Sequence, residues 1–446
     1  MSDAIHYFPK DFKWGTATAA HQVEGDTGNN QWAVWEQTPG NIRTSERVGL
    51  ACDWWRNAEA DFDRMVELGL NAHRLSVEWS RIEPQEGRFD DAAIDRYRQM
   101  LLGLRQRGIE PMVTLHHFTN PIWLEEQGGW ETAKAAPRFQ RFVARVVQSL
   151  GDLCDLWCTV NEPNIYAIMG YLTDDGHMPP GRPGDFNLTL RVIRNMLLGH
   201  AAAYQTLHEH QPLARVGIAH HMREFQALRP NHLLDQLVTR LQDHAFNQSI
   251  LDALTRGRWG PILGRGAEQS ARAVRGALDW IGLNYYSRTR SHFDAKRRNM
   301  LFSNIADTPG GEMSDHGYGE IYPEGLMHCL RRLARYRLPL YITENGLPDD
   351  DDDQRPAFIV RHMRVLWQAV QFNYKIQGYY HWSLIDNFEW GQGWRMKFGL
   401  YEVNPQTQER KARPSAWLYR DIAKANALSS DIVRRHTPEL LPVLFP

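Results

Sequence analysis

The stretch LWCTVNEP, residues 156–163, decides the fold. Its first five residues form a short apolar run with no helical period, which reads as a strand buried on both faces. It ends in an amide, Asn161, and an ionisable group, Glu162, just before a proline. A carboxylate at the mouth of an apolar layer costs desolvation energy unless it is paired or used. The pattern recurs far along the chain in YITENGLP, 341–348, with Glu344 and Asn345. The question is whether the two carboxylates meet.

Working outward from 156–162, seven further runs of the same kind punctuate the chain: FKWGTATA (12–19), AHRLSVEW (72–79), PMVTLHH (111–117), RVGIAHH (215–221), WIGLNYY (280–286), YITENG (341–346) and GYYHWSL (378–384). Between them lie segments with Leu, Met, Val and Phe recurring at three and four residues, among them 58–69, 93–108, 138–151, 195–210 and 359–371. Strands separated by helices predict an α/β fold. Eight of them predict one (β/α)8 TIM barrel spanning 1–446 as a single catalytic domain, its site at the C-terminal ends of the strands. A doubly wound open sheet would carry a glycine-rich phosphate turn after an early strand, and no GxGxxG stands there. No repeat and no Gly-, Ser- or Pro-rich linker divides the chain. The acidic run Asp349 to Asp353 reads as a solvated loop whose last residues cap the following helix, rather than as a metal site.

Charges nearly cancel, with 51 basic and 53 acidic residues, so nothing in the balance favours nucleic acid or an anionic membrane as partner. The N-terminal segment lacks the pattern of an export signal, and no apolar run approaches the roughly 20 residues that span a bilayer. Four cysteines without CxxC spacing suit reduced thiols better than disulfides or zinc. These features point to a cytoplasmic protein.

Polar and aromatic residues crowd the predicted C-terminal ends of the strands: Gln22 and Glu24, Arg74, His116 and His117, Asn161 and Glu162, Asn284 and Tyr286, Glu344 and Asn345, and Trp382. Singly, each has a plain structural explanation. Arg74 alternates with Leu75 and Val77 and should face the barrel interior, where it could serve only as a paired core charge. Of adjacent His116 and His117, and of Tyr285 and Tyr286, only one each should reach a central pocket. Together they converge on one rim. Paired carboxylates suit glycosidic cleavage, in which one protonates the leaving oxygen while the other attacks the anomeric carbon or activates water.

The motifs FKWGTATAAHQVEG, RLSVEWSRIEP, TVNEP, GLNYYSR, YITENG and HWSLIDNFEWGQGW, in this order, resemble those of glycoside hydrolase family 1, the β-glucosidase family, from Phe8 to about Tyr419. The resemblance implies a retaining β-glycosidase working by double displacement, with Glu344 as nucleophile and Glu162 as acid/base. Arg74, Asn161, Asn284 and Tyr286 would support the pair. Gln22, His117, Asn161, Trp382, Glu389, Trp390 and Phe398 would bind the sugar. No cofactor or metal is implied, and the Trp382–Ser383 peptide is expected to be cis. The partner would be a small-molecule β-glycoside or oligosaccharide: terminal, unphosphorylated β-D-glucosides, with β-D-galactosides and β-D-fucosides. A phosphate beside Glu389 would be repelled, which disfavours a 6-phospho-β-glycosidase. The presence of both carboxylates disfavours a non-catalytic carbohydrate-binding barrel. Two departures from the family pattern, Asn164 after NEP and Gly319 before Glu320, bear on the aglycone side.

Overall fold

A computed structural model describes residues 4–173, 178–260 and 268–445. The eight runs become β1 (Lys13–Ala17), β2 (Ala72–Ser76), β3 (Glu110–His116), β4 (Leu156–Asn161), β5 (Arg215–Ala227), β6 (Trp280–Phe293), β7 (Leu340–Asn345) and β8 (Ile376–His381). Each pairs in parallel with its successor, and β8 pairs in parallel with β1, which closes the barrel. Every residue of β2, β4 and β7 is buried, as strands covered on one side by helices and on the other by the barrel interior must be.

The segments of helical period form α1 (Trp54–Glu67), α2 (Asp91–Gln106), α3 (Ala135–Leu150), α4 (Phe186–His210), α5 (Leu233–Asp243), α6 (Pro323–Ala334), α7 (Arg355–Gln371) and α8 (Pro414–Ala425). In α3 the residues Phe139, Phe142, Val143, Val146, Val147 and Leu150 recur at three and four and are all buried. Several helices start earlier than their apolar period suggests, because polar caps lie outside the stripe. Asp90 accepts from the Ala93 amide at 3.1 Å and Asp185 from that of Leu188 at 2.8 Å. The acidic run also caps, but through its first residue rather than its last. Asp349 Oδ2 accepts from the amides of Gln354 and Arg355 at the start of α7, while buried Asp352 pairs with Arg355.

Two strands outrun the sequence reading. β5 and β6 continue as a paired ribbon to Ala227 and Ser291, well past His221 and Tyr286, and β6 then pairs antiparallel with Ser303–Ala306. This ribbon raises one wall above the rim. Register shifts interrupt the ladders where the site begins: between Cys158 and Asn161 on β4, Met222 and Glu224 on β5, and Leu283 and Asn284 on β6. Such irregularities re-aim side chains that strict alternation would send elsewhere.

Candidate active site

A cavity of about 190 Å³ opens at the C-terminal ends of the strands, and both glutamates line it. Glu162 directly follows β4 in a left-handed conformation (φ 44°), uncommon for a residue with a Cβ. Its amide donates to Ala219 O on β5 at 2.8 Å, and Pro163 starts a short helix to Tyr171. The bend is thus held by a ladder bond on one side and a helix start on the other. Glu344 lies within β7 at a register shift, and the next residue but one, Gly346, sits where a Cβ would fall 1.8 Å from Trp382 O. Only glycine lets β7 and the Trp382 turn approach so closely. The Trp382–Ser383 peptide is cis.

Arg74 is fully buried in the barrel interior. Its Nη1 meets Glu344 Oε1 at 2.5 Å, Nη2 meets Asn161 Oδ1 at 2.6 Å, and Nε donates to Thr114 Oγ1 at 3.0 Å. Tyr286 donates its hydroxyl to Glu344 Oε2 at 2.7 Å. Glu162 has a different set of partners. Asn284 Nδ2 donates to its Oε1 at 2.7 Å and His221 Nδ1 lies 3.0 Å from the same oxygen.

Burial pushes Glu344 up to about 7, with the charge of Glu162 adding, against the guanidinium of Arg74 and the Tyr286 hydroxyl. Burial acts in the same direction on Glu162, and the hydrogen bonds from His221 and Asn284 oppose it; a charge on His221, were the ring protonated, would pull it below the usual carboxylate value. Two anions so placed cannot both form cheaply, so the pair titrates as a unit. Where the shared proton rests depends on His221. Arg223 Nε, which always carries hydrogen, points at His221 Nε2 from 3.3 Å. His221 Nε2 is therefore the acceptor, Nδ1 carries the one proton, and the ring brings Glu162 a neutral donor. Without a charge on His221, the direct guanidinium contact makes Glu344 the favoured anion and leaves the proton on Glu162.

At the other end of the cavity, burial pushes Glu389 up to about 8. Gln22 Nε2 donates to its Oε2 at 2.9 Å. His117 stacks between Trp382 and Trp390, with centroids 6.1 and 6.0 Å away, and its Nε2 lies 3.1 Å from Asn161 Nδ2. His117 Nδ1 and Gln22 Oε1 are buried without a protein partner among the described residues. Flat aromatic walls with spare donors and acceptors suit a polyhydroxylated ring.

The adjacent pairs separate as alternation requires. His117 lines the cavity while His116 bonds Asn120 behind it; Tyr286 lines it while Tyr285 donates to Tyr322 O. Arg74 and Asn284 lie behind the cavity wall and act through the carboxylates. Two residues fall elsewhere than the rim reading placed them, and a third, Phe398, falls elsewhere than the family resemblance placed it. Glu24 pairs with Arg81 and Tyr97, and Asn345 bonds Tyr285 O. Phe398 does not line the cavity; it packs edge-on behind Tyr286 and Tyr318 at 6.2 and 5.2 Å, so it buttresses the wall. Conversely, the cavity is lined by His221, Arg223, Tyr318, Met169 and Met178, which the sequence reading passed over. The HisHis pair closing RVGIAHH was the available signal for His221. The aromatic wall sought at Gly319 is supplied one residue earlier, by Tyr318.

A family model described as glycosyl hydrolase family 1 matches residues 4–428. Beta-glucosidase A of Thermotoga maritima is 31% identical over 95% of this chain and 99% of its own length. A beta-galactosidase of Saccharolobus solfataricus is 31% identical over 98% and 99%. Among solved structures, the family 1 β-glucosidase of T. maritima in complex with isofagomine lactam superposes with a TM-score of 0.90 at 30% identity, covering 95% of this chain and all of that one. The beta-glycosidase of Pyrococcus horikoshii gives 0.88 at 32%, covering 97% and 98%.

Proposed function

The chain belongs to glycosyl hydrolase family 1 and is a retaining β-glycosidase, and on that premise we propose that Glu344 is its nucleophile and Glu162 its acid/base. The observation that carries the assignment is the asymmetry of partners: a guanidinium and a phenol on Glu344, neutral donors on Glu162. In the first step the Glu344 carboxylate attacks the anomeric carbon as the bond to the leaving oxygen breaks, and Glu162 passes its proton to that oxygen. In the second, Glu162, now a carboxylate stabilised by Asn284 and His221, takes a proton from water. The water oxygen attacks the anomeric carbon and Glu344 is released to Arg74 and Tyr286. Substrates are terminal, unphosphorylated β-D-glucosides and the related galactosides and fucosides. Proton NMR of 4-nitrophenyl β-D-glucoside hydrolysis should show β-glucose formed first; first appearance of α-glucose overturns the reading.

Glu389, Gln22 and Trp390 would hold the sugar's hydroxyls. Glu389→Ser should weaken kcat/KM on glucosides and galactosides by about 0.5 to 1.5 kcal/mol for each hydrogen bond lost to the sugar. Kinetics unchanged on both would remove Glu389 from the sugar site.

The rate should follow a bell-shaped pH profile, falling at low pH as Glu344 takes a proton and at high pH as Glu162 loses its own. His221 donates to the charged form of Glu162, and such a donor favours ionisation. His221→Phe should therefore move the basic limb of kcat/KM upward, by about one pH unit if one hydrogen bond of roughly 1.4 kcal/mol is lost. A downward move would mean that His221 does not donate to Glu162.

A further inference from the structure

Arginines in the interior of this protein hold carboxylates. Arg74 meets Glu344, Arg288 meets Glu320, Arg355 meets Asp352, and Arg413 meets Asp386. Arg223 does not. It lies half-buried on the ribbon formed by β5 and β6, gives its Nε to His221, and stands 5.8 Å from the centre of the Phe246 ring. Among the described residues neither of its Nη groups has a hydrogen-bond partner and no carboxylate forms an ion pair with it. Its neighbour Glu224 points the other way, to Arg332 and His328. Burial works against the charge on Arg223 and lowers its pKa, only partly offset by Tyr318 and Glu162. Because the side chain is half-buried in the wall of the cavity, its unpaired Nη groups remain open to an anionic ligand.

Its place says which part of a ligand that would be. Arg223 and Tyr318 line the active-site cavity and also an adjoining one of about 270 Å³, walled by Ser287, Thr289 and Thr308. Two carboxylates line that second cavity: Glu320 is already taken by Arg288 and Thr308, and Asp307 forms no ion pair with Arg223 among the described residues. Gly319 closes this wall onto Ser287; a Cβ there would fall 2.8 Å from Ser287 Cβ. Arg223 touches His221, and His221 touches Glu162. Through His221 the guanidinium thus neighbours the group that protonates the leaving oxygen, and the adjoining cavity that it also lines extends the site away from Glu389 and Gln22, which are absent from that second lining.

We propose that this side of the site selects aglycones bearing a carboxylate, held by the free face of the Arg223 guanidinium. The planar fork of N–H donors matches a carboxylate in two parallel hydrogen bonds. The proposal rests on the reading of Glu162 as the acid/base.

The test compares 4-carboxyphenyl β-D-glucoside with its methyl ester on the wild type, Arg223→Lys and Arg223→Met, at pH 7. Taking the ratio of kcat/KM for the two substrates within each protein cancels any effect on folding yield, and inhibition by the free phenols, in which no leaving group departs, separates recognition of the carboxylate from any effect of the substitution on His221 and Glu162. The carboxylate-to-ester ratio should fall about 10- to 100-fold in Arg223→Met, the range for a charge-assisted hydrogen bond, and less in Arg223→Lys. A ratio unchanged within about twofold overturns the proposal. Should Arg223→Met not fold, the wild type alone decides. Free 4-hydroxybenzoate should inhibit hydrolysis of 4-nitrophenyl β-D-glucoside at least about 10-fold more tightly than methyl 4-hydroxybenzoate, and equal inhibition overturns the proposal. A wild type inert on 4-nitrophenyl β-D-glucoside would refute instead the reading of the site on which the proposal rests.

Discussion

Glu344→Gly should abolish hydrolysis of even an activated aryl β-glucoside, with kcat falling about 10⁴- to 10⁶-fold, as when a nucleophile is removed from other covalent enzymes. No other carboxylate can take its place. Glu162 is held across the cavity by Asn284 and His221, and Glu389 lies at the sugar end with Gln22. The fold should survive, because Arg74 keeps Asn161 Oδ1 and Thr114 Oγ1 as acceptors, although a buried guanidinium that loses its carboxylate is costly. A melting curve separates loss of chemistry from loss of structure. Azide added to the folded variant should occupy the space vacated by the side chain and attack the anomeric carbon, giving the α-glycosyl azide, inverted relative to substrate. A variant that keeps more than about a hundredth of wild-type activity would show that Glu344 is not the nucleophile.

The barrel was legible because its strands are short runs buried on both faces, and burial on both faces leaves a continuous apolar signature that helices interrupt. Both carboxylates were legible for the converse reason: a charge ending such a run is anomalous. Alternation gave the inward side of β2 correctly, since no register shift disturbs Arg74. It could not place Cys158 and Asn161, which both approach Arg74 across a shift in β4. The same physics hid Arg223. A second shift between Met222 and Glu224 carries β5 past its expected end at His221, and the charged residues beyond read as loop until their pairing with β6 is known. Phe398 was placed in the sugar site by resemblance; its distance from the cavity follows from Tyr318, whose loop position no local pattern reveals.

Glu162→Ala should leave the nucleophile and its support intact, since Arg74 and Tyr286 hold Glu344 independently of Glu162. What disappears is the proton donor. An aryl leaving group such as 2,4-dinitrophenolate needs no proton, so formation of the glycosyl-enzyme from its glucoside should stay close to the wild-type rate. An alkyl or sugar leaving group needs one, and its departure should slow by about 10²- to 10⁴-fold. The second step also loses its base, so with the aryl substrate the intermediate should accumulate and a burst of phenolate should precede slow turnover. Azide requires no base to attack, and it now approaches from the face opposite Glu344, giving the β-glycosyl azide because two inversions restore the configuration. The two azide products thus read the geometry directly: α from the variant lacking Glu344, β from the one lacking Glu162. The same anomer from both variants, or an equal slowing of aryl and alkyl departure in Glu162→Ala, would mean that the carboxylate touched by Arg74 and the one touched by His221 do not divide the reaction as their partners imply.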